Sequence, residues 1–229
     1  MVGAADVRRA TAEIASSVRD VIEASERPFV LGGDCTLLLG VFDALPAGTG
    51  LWFVDGHADF LDGESSPTGE AADMDLAILT GHGPPGLLEG DRTLLDPGAA
   101  VLLGHRPSNS DPEVARENAR LDPAIQAFTA SEVRDRGPES VGRWACERFA
   151  GRPAWLHLDL DVLDETALPA VSYPQPLGLD WDELTALTQP LVASPTLVGI
   201  SLADFNPDRD PAGTHAARVV DFLASLLAD

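Results

Sequence analysis

Two short acidic motifs constrain this chain most strongly, because each one directly follows an apolar segment. The motifs are Asp55-Gly-His57-Ala-Asp59 after residues 51–54, and His157-Leu-Asp159-Leu-Asp161 after residues 153–156. The apolar segments are typical of buried strands, and alternate residues of an extended chain project to the same side. The spacing therefore predicts that the acidic and imidazole side chains of each motif converge, and that both sets share one pocket if the strands are neighbours.

A pocket with so many carboxylates needs a counter-charge. Carboxylates held close together in a protein interior cannot all stay ionised unless cations lie between them. Ligands rich in oxygen and poor in imidazole favour Mn²⁺ or Mg²⁺ over zinc, and bridging carboxylates favour two ions over one. Either motif alone is also common in turns and at solvated strand ends. Because both follow apolar strands with the same spacing, together they predict a divalent metal site.

The composition limits the classes of partner. The chain has 229 residues and a net charge of −22, so a phosphate backbone or an anionic membrane would be repelled. We expect no nucleic-acid partner and no membrane partner, but a small cationic or neutral substrate. The sequence has no lysine, which excludes Schiff-base chemistry and phosphate loops of the Walker type.

Cysteine use and segment lengths indicate the compartment. Cys35 and Cys146 are the two cysteines and lie far apart, so we expect no disulfide framework and a reducing environment. No apolar run reaches membrane-spanning length, and residues 1–24 have helical periodicity rather than the pattern of a signal peptide. These features predict a cytoplasmic protein.

Strand-like and helical segments alternate along the chain, which predicts an α/β protein. An N-terminal helix is expected to stop before Pro28. Strands are expected over residues 29–33, 51–55, 100–104, 125–129, 154–161 and 197–202, and helices over 36–45, 74–79, 139–149, 182–191 and 215–227. Continuously apolar strands in such an order are typical of a parallel sheet covered on both faces. With no convincing linker or repeat, we expect a single domain over residues 1–229, with its chemistry beyond the carboxyl ends of the strands.

Four motifs carry a resemblance to a known family. They are Leu31-Gly-Gly-Asp-Cys35-Thr, Asp55-Gly-His57-Ala-Asp59, His157-Leu-Asp159-Leu-Asp161-Val-Leu-Asp164 and Asp204-Phe-Asn-Pro207. In order and approximate spacing they resemble the ureohydrolase family, which includes arginase, agmatinase and formiminoglutamase. The resemblance covers the chain from about Pro28 onward and implies an arginase-like, three-layer α/β/α fold.

The resemblance also implies a chemistry and a set of roles. Members hydrolyse C–N bonds of linear amidines or guanidines with a metal-bound hydroxide as nucleophile. For this chain the resemblance implies one or two Mn²⁺ ions. By motif position, Asp55 and Asp159 would bridge the metals and Asp59 would complete one site. His57 and Asp161 would complete the other. The expected substrate is a small cationic guanidino or amidino compound.

Cys35 and His157 depart from the family pattern. Cys35 stands where the family has a metal-binding His. A thiolate can bind a metal but is a soft ligand for a hard ion, so one site could be weak or select another metal. The alternative is that Cys35 is a small buried residue at a helix start. His157 replaces a small residue, and three interpretations stay open: a donor that orients a ligand, a replacement ligand, or a satisfied core histidine.

Other departures concern proton transfer and substrate binding. Ala72 occupies the position of the family's proton-shuttling His. Candidates to substitute are Glu70, two residues away, and the histidines His82, His105 and His157, although such a His is more often a packed or surface residue. Asp204 replaces the Glu that pairs with the substrate's cation. From these departures we expect Asp204, Glu70 and His157 to be the catalytic residues. The set of departures resembles a divergent branch similar to hydroxyarginine hydrolase.

The chain is also short before its first motif, with about thirty residues preceding the glycine pair at 32–33. We expect a sheet shortened at the N-terminus, with an edge left smaller or covered by a partner chain, as in a homo-oligomer. Two functions stay open. The first is a metal-dependent C–N hydrolase, and the second is a degenerate member that keeps the fold but acts as a binding or regulatory subunit.

Overall fold

A computed structural model describes residues 2–88, 90 and 92–228. Its sheet has six parallel strands in the order β1-β6-β5-β2-β3-β4. The strands are β1 Phe29–Leu31, β2 Gly50–Val54, β3 Ala100–His105, β4 Gln126–Thr129, β5 Ala154–Asp159 and β6 Leu197–Ala203. The α-helices are α1 Ala4–Glu23, α2 Leu37–Ala44, α3 Asp75–Leu79, α4 Pro112–Asn118, α5 Ala130–Arg136, α6 Pro138–Arg148, α7 Trp181–Val192 and α8 Thr214–Leu227.

The core lies on both faces of this sheet. The central strands β2 and β5 are buried along their whole length, and successive side chains point to opposite faces. Trp52 and Leu156 join a cluster with residues of α5 to α8. Phe53 and Trp155 join a second cluster with residues of α1 to α3. The predicted three-layer α/β/α fold with a parallel sheet is therefore confirmed, while the single-domain assignment stays a prediction.

The two acidic motifs leave the sheet earlier than the sequence indicates. We predicted strands reaching Asp55 and Asp161, but β2 ends at Val54 and β5 ends at Asp159. Residues 160–162 form a turn of 3₁₀ helix. Strand alternation therefore accounts only for His157 and Asp159, which both lie in β5 and contact Cys35. It does not explain the convergence of Asp55, His57, Asp59 and Asp161, and for these residues the sequence interpretation is wrong. Tight turns beyond the strand ends bring them together instead.

β1 forms one edge of the described sheet. It has three residues and pairs only with β6 among the described strands. Phe29 and Leu31 are 44% and 70% exposed. Both side chains are thus exposed on an edge strand, and whether a partner chain covers this edge stays a prediction.

The carboxyl ends of β1, β2, β3, β5 and β6 meet at one edge of the sheet because all pairings are parallel. In sheets of this kind, ligand sites lie beyond those ends. In the described ranges, no helix has both the length and the apolar character needed to cross a membrane.

Candidate metal centre

The two acidic motifs form matching turns at the ends of the central strands. Asp55 Oδ1 accepts a hydrogen bond from the backbone N–H of His57 at 2.7 Å, and Asp159 Oδ1 accepts one from Asp161 N–H at 2.7 Å. Each aspartate thus stabilises the turn that follows it, as short acidic side chains do. The backbone N–H of Gly56 donates to Asp161 Oδ1 at 3.1 Å, which links the two turns.

His57 and Asp161 form a direct contact between the motifs. His57 Nδ1 lies 2.9 Å from Asp161 Oδ2. Burial opposes the imidazolium, but the Asp161 carboxylate outweighs it and raises the pKa of His57 to about 9. Burial likewise opposes ionisation of Asp161, whose pKa is nevertheless lowered by His57. With Asp55 they offer three donor atoms within 4.8 Å of one another, the spacing expected for ligands of one ion.

Cys35 joins this centre from the loop after β1. It is 4% exposed, and its thiol donates to Asp159 Oδ2 at 2.8 Å and lies 3.5 Å from Asp55 Oδ2. Burial and the Asp159 carboxylate raise the pKa of Cys35. Donor atoms of Cys35, Asp55, His157 and Asp159 form a second group within 4.8 Å.

His157 lies behind Cys35 on β5. It is fully buried, its Nε2 is 3.2 Å from Cys35 Sγ, and its Nδ1 is 2.8 Å from Ser201 Oγ. The ring stacks on Phe53 with centroids 5.3 Å apart. Burial lowers the pKa of His157 to about 3, so the ring is neutral. Ser201 Oγ also accepts from Trp155 Nε1 at 2.9 Å.

Asp59 and Asp75 form the third part of the centre, and Asp75 was missed by sequence reasoning. Asp59 is 5% exposed and Asp75 is fully buried. Asp59 adopts a left-handed backbone conformation with φ of 46°, which Asp tolerates better than most residues. With Cys35 they offer another group of donor atoms within 4.8 Å. The sequence signal for Asp75 was its position between the apolar residues Met74 and Leu76. Charged residues are rarely buried without a partner, so an aspartate in such a segment indicates a binding role.

Arg106, which follows β3, is a second residue that the sequence interpretation missed. It is 1% exposed, and its guanidinium donates to Asp161 O at 2.7 Å and Leu163 O at 2.9 Å. It also donates to the carbonyl of Gln175 at 3.0 Å. Arg106 therefore holds the turn after β5 in place. A Cβ on Gly56 would collide with Arg106 Nη1 and with Asp161, so this position requires glycine for space.

A cavity of about 1020 Å³ opens over the centre. Its lining contains eight of the predicted site residues, together with Glu117, Tyr173 and Ala72 at the absent shuttle position. The eight are Cys35, Asp55, His57, Asp59, Glu70, Asp159, Asp161 and Asp204. Glu117 is 6% exposed and accepts a hydrogen bond from Phe60 N–H at 3.3 Å. It was not identified from the sequence.

Asp204 and Glu70 lie at different depths of this cavity. Asp204, after β6, is 8% exposed, and its Oδ2 accepts from Ser172 N–H at 3.0 Å. Burial raises the pKa of Asp204 to about 6. Glu70 also lines the cavity but is exposed, and the Tyr173 hydroxyl lies 3.5 Å from its Oε2. The candidate catalytic residues Asp204, Glu70 and His157 are thus placed at the inner wall, at the rim and behind Cys35.

The donor atoms suit a pair of divalent ions. One group contains Asp55, His57 and Asp161, and another contains Cys35, Asp55 and Asp159. Burial, and then the neighbouring carboxylates, raise the pKa of Asp55 and Asp159, as expected for acids gathered without their counter-ion. Cations bound between these groups would remove that repulsion.

The fold and the donor groups define an α/β protein with a candidate dinuclear metal centre. The profile of the arginase family matches residues 2–228, and the chain belongs to the arginase family.

Relatives support this assignment over nearly the whole chain. Arginase from Staphylococcus aureus strain MRSA252 is 28% identical over 225 residues, which cover 96% of this chain and 73% of that protein. Arginase from Bacillus caldovelox is 27% identical, covering 97% and 76%. The crystal structure of arginase from Bacillus subtilis superposes with a TM-score of 0.86 at 26% identity, covering 97% of this chain and 77% of that one.

Proposed function

We propose that this protein hydrolyses a C–N bond of a cationic guanidino or amidino compound with the help of two divalent ions of the Mn²⁺ class. Membership of the arginase family supports metal-dependent hydrolysis of such groups in general. The observation that carries the proposal is the set of adjoining donor groups at the base of one cavity. Two bound ions would supply an activated water as nucleophile and polarise the substrate.

The ligand roles follow from which residues the donor groups share. Asp55 belongs both to a group with Cys35 and to the group with His57. Asp159 likewise belongs to a group with Cys35 and to one with Asp161. For this reason we infer that Asp55 and Asp159 would be shared between the two ions. His57 and Asp161 would complete one ion site, while Cys35 and Asp59 would contribute to the other.

The wall of the cavity suits a cation. Asp204 is positioned at the inner wall by Ser172, and its carboxylate can accept charge-assisted hydrogen bonds from a guanidinium. Glu70 and Tyr173 at the rim are placed to contact the far end of a substrate. The net charge of −22 would also attract cations.

The absence of a His at position 72 bears on the substrate. An N-hydroxyguanidine carries an N–OH group that can supply or relay the proton that a shuttle would otherwise move. We therefore include N-hydroxyguanidines in the proposed substrate class, which agrees with the resemblance to hydroxyarginine hydrolase.

A urea-release screen tests this function. Protein loaded with Mn²⁺ is assayed against guanidines, N-hydroxyguanidines and an acidic amidine, and the metal content per chain is measured in the same samples. We expect urea from at least one cationic guanidino compound. Asp159→Ala should abolish both metal binding and turnover, while Asp208→Asn, at an exposed site, should change neither. Full metal occupancy in Asp159→Ala contradicts the ligand assignment. Two bound ions without turnover of any substrate favour a binding or regulatory role.

A further inference from the structure

Asp75 is a buried carboxylate with an oxygen that lacks a partner. It is the first residue of α3 and is 0% exposed. Its Oδ1 accepts a hydrogen bond from Leu76 N–H at 2.8 Å, but its Oδ2 has no hydrogen bond within the described residues. A buried acceptor without a partner costs about 1–3 kcal/mol, and more if it is charged. Asp75 is therefore unfavourable for the fold unless a cation, or a proton shared with the neighbouring Asp59 carboxylate, binds this oxygen.

The surroundings of Asp75 point to a cation. Donor atoms of Asp75, Asp59 and Cys35 lie within 4.8 Å of one another, and all three side chains are buried. In the described part of the chain, neither Asp59 nor Asp75 forms a salt bridge. Three acidic groups thus face one another with no positive side chain paired to Asp59 or Asp75.

The backbone holds Asp75 in this place. Ala77 N–H, in α3, donates to the carbonyl of Asp59 at 3.1 Å, so the start of α3 is tied to the loop that carries Asp59. Leu61 N–H donates to the carbonyl of Asp73 at 3.2 Å, which ties the same two segments a second time. The position of the Asp75 carboxylate is therefore determined by the fold and does not depend on a mobile side chain at the surface.

We propose that Asp75 is a further metal ligand, which binds the same divalent ion as Cys35 and Asp59. This inference rests on the proposed function only in taking a divalent ion as the occupant. With Asp75 as a ligand, the two ion sites would differ in their ligands. Apart from the bridging residues, one site would have the thiolate of Cys35 and the carboxylates of Asp59 and Asp75. The other site would have the imidazole of His57 and the carboxylate of Asp161. The site with Cys35 would carry more negative charge and the only soft ligand.

A titration with Co²⁺ tests the assignment without relying on turnover. Co²⁺ bound to a thiolate gives a charge-transfer absorption in the near ultraviolet, so this band reports the ion at Cys35. We expect the metal-free protein to bind two Co²⁺ per chain, one of which produces the band. In Asp75→Asn, the band-forming ion should bind at least about 100-fold more weakly, beyond the 10–100-fold typical of residues that only orient a ligand. The other ion should change by less than about threefold.

Control variants separate a ligand from a structural residue. Cys35→Ser should remove the band, and Asp208→Asn should leave both affinities unchanged. Asp75→Ala tests the same loss of carboxylate without the new amide, and should weaken the band-forming ion as Asp75→Asn does. In the metal-free state, Asp75→Asn should raise the melting temperature by at least about 2 °C, which is the order expected from relieving about 1 kcal/mol in a chain of this size.

The outcomes are distinct. Unchanged affinity of the band-forming ion in Asp75→Asn, or a loss of only about tenfold, would overturn the assignment of Asp75 as a ligand. A lower melting temperature of metal-free Asp75→Asn together with unaltered Co²⁺ binding would show that Asp75 only supports the fold. No Co²⁺ binding by the unaltered protein would overturn both proposals. Intact Co²⁺ titrations without urea release from any substrate would overturn the proposed function alone.

Discussion

The Cys35 thiol lies 2.8 Å from Asp159 Oδ2, so the loop after the edge strand β1 reaches the end of the central strand β5. These strands are separated by β6 in the sheet. The contact therefore crosses the carboxyl end of β6 and closes one side of the candidate metal centre. A thiol in contact with two carboxylates is the arrangement expected of a ligand rather than of a residue that only fills space, because apolar packing would not select acidic neighbours.

Replacing Cys35 by His tests this role. If Cys35 is a soft ligand at a site intended for a hard ion, Cys35→His should tighten the binding of Mn²⁺ and bring its stoichiometry nearer to two per chain. Calorimetric titration of the metal-free protein with Mn²⁺ measures both quantities, and Cys146→Ser controls for the general loss of a thiol. Unchanged affinity and stoichiometry would favour the packing interpretation of Cys35.

The contacts of His157 predict how it acts on Cys35. Ser201 Oγ accepts from the Trp155 indole N–H, and we infer that the Ser201 hydroxyl donates in turn to His157 Nδ1. The neutral ring then carries its hydrogen on Nε2, from which it can donate to Cys35 Sγ at 3.2 Å. On this inference His157 is a positioning residue for Cys35, since a protonated Nε2 cannot bind a metal.

Ser201→Ala tests this chain of hydrogen bonds. It should weaken the ion at Cys35 by about 10-fold, the lower end of the range for groups that orient ligands, and should shift the Co²⁺–thiolate band without removing an ion. Thr188→Ala, which removes another buried hydroxyl, is the control and should leave the band in place. Loss of one whole ion in His157→Phe, with an unshifted band in Ser201→Ala, would instead identify His157 as a ligand.

The pKa values predict how metal-free stability depends on pH. Burial raises the pKa of Asp75 to about 8 from an ordinary value of 3.8. The folded state then binds more protons than the unfolded state, so stability falls as pH rises. His57, whose pKa is raised from 6.5 to about 9 against the effect of burial, adds stability that is complete below pH 6.5 and is lost toward pH 9. Both groups therefore destabilise the metal-free protein as the pH rises from 5 to 8.

Thermal unfolding of the chelator-treated protein at several pH values measures this effect. We expect the melting temperature to fall by at least about 2–4 °C between pH 5 and pH 8, equivalent to about 1 kcal/mol at this chain length. Mn²⁺ should reverse the trend, because its ligands must be deprotonated to bind. Asp75→Asn should flatten the metal-free curve, whereas Asp208→Asn should not. A melting temperature that rises with pH in the absence of metal would contradict the prediction.

The sequence predicted the sheet well because its strands are continuously apolar and its helices have regular apolar stripes. It also predicted that Asp55, His57, Asp159 and Asp161 meet, although it gave the wrong reason. The spacing of two fits an extended strand, but it also fits a turn in which an aspartate accepts the N–H two residues later. Local spacing does not distinguish these conformations, and the tertiary fold decides between them.

The missed residues share a different cause. All three missed residues are charged side chains that are buried in the fold, namely Asp75, Arg106 and Glu117. Whether a charged side chain is buried depends on segments that are far away in the sequence. Arg106 illustrates this, because its partners at Asp161, Leu163 and Gln175 lie more than fifty residues along the chain. An isolated Arg after a strand predicts a solvated side chain on average. Only the arrangement of the turns after β5 shows that Arg106 is buried and donates hydrogen bonds to their backbone carbonyls.

Asp204→Asn tests the recognition of the substrate's cation. Removing a charge-assisted hydrogen bond should weaken a guanidino substrate by about 1.5–3 kcal/mol, which is about 10- to 150-fold in affinity. The fold should be unaffected, because the amide oxygen can still accept from Ser172 N–H. Binding at rising salt concentration is the second measurement, and affinity should decrease if the acidic cavity attracts the cation over a distance. Tighter binding of an acidic amidine, or indifference to Asp204→Asn, would count against this role.

Gly56→Ala tests the packing between the two acidic turns. The added methyl group would collide with the Arg106 guanidinium and with the backbone and carboxylate of Asp161. Arg106 cannot move away without leaving the carbonyls that it holds, so the turn after β5 must shift. We expect a loss of about 1–3 kcal/mol in the free energy of unfolding, as for other overpacked sites, together with weaker binding of the ion at His57 and Asp161.

Denaturant unfolding measures the loss of stability, and Mn²⁺ titration measures the weaker binding. Gly151→Ala at an exposed turn is not suitable as a control, because the φ of Gly151 is 77°. Gly33→Ala is the matched control, since a Cβ there meets nothing within 4 Å, and it should leave stability within about 1 kcal/mol of the unaltered protein, inside the range of ordinary Gly-to-Ala effects. Equal stability of Gly56→Ala and Gly33→Ala would show that Arg106 does not fix the turn of Asp161.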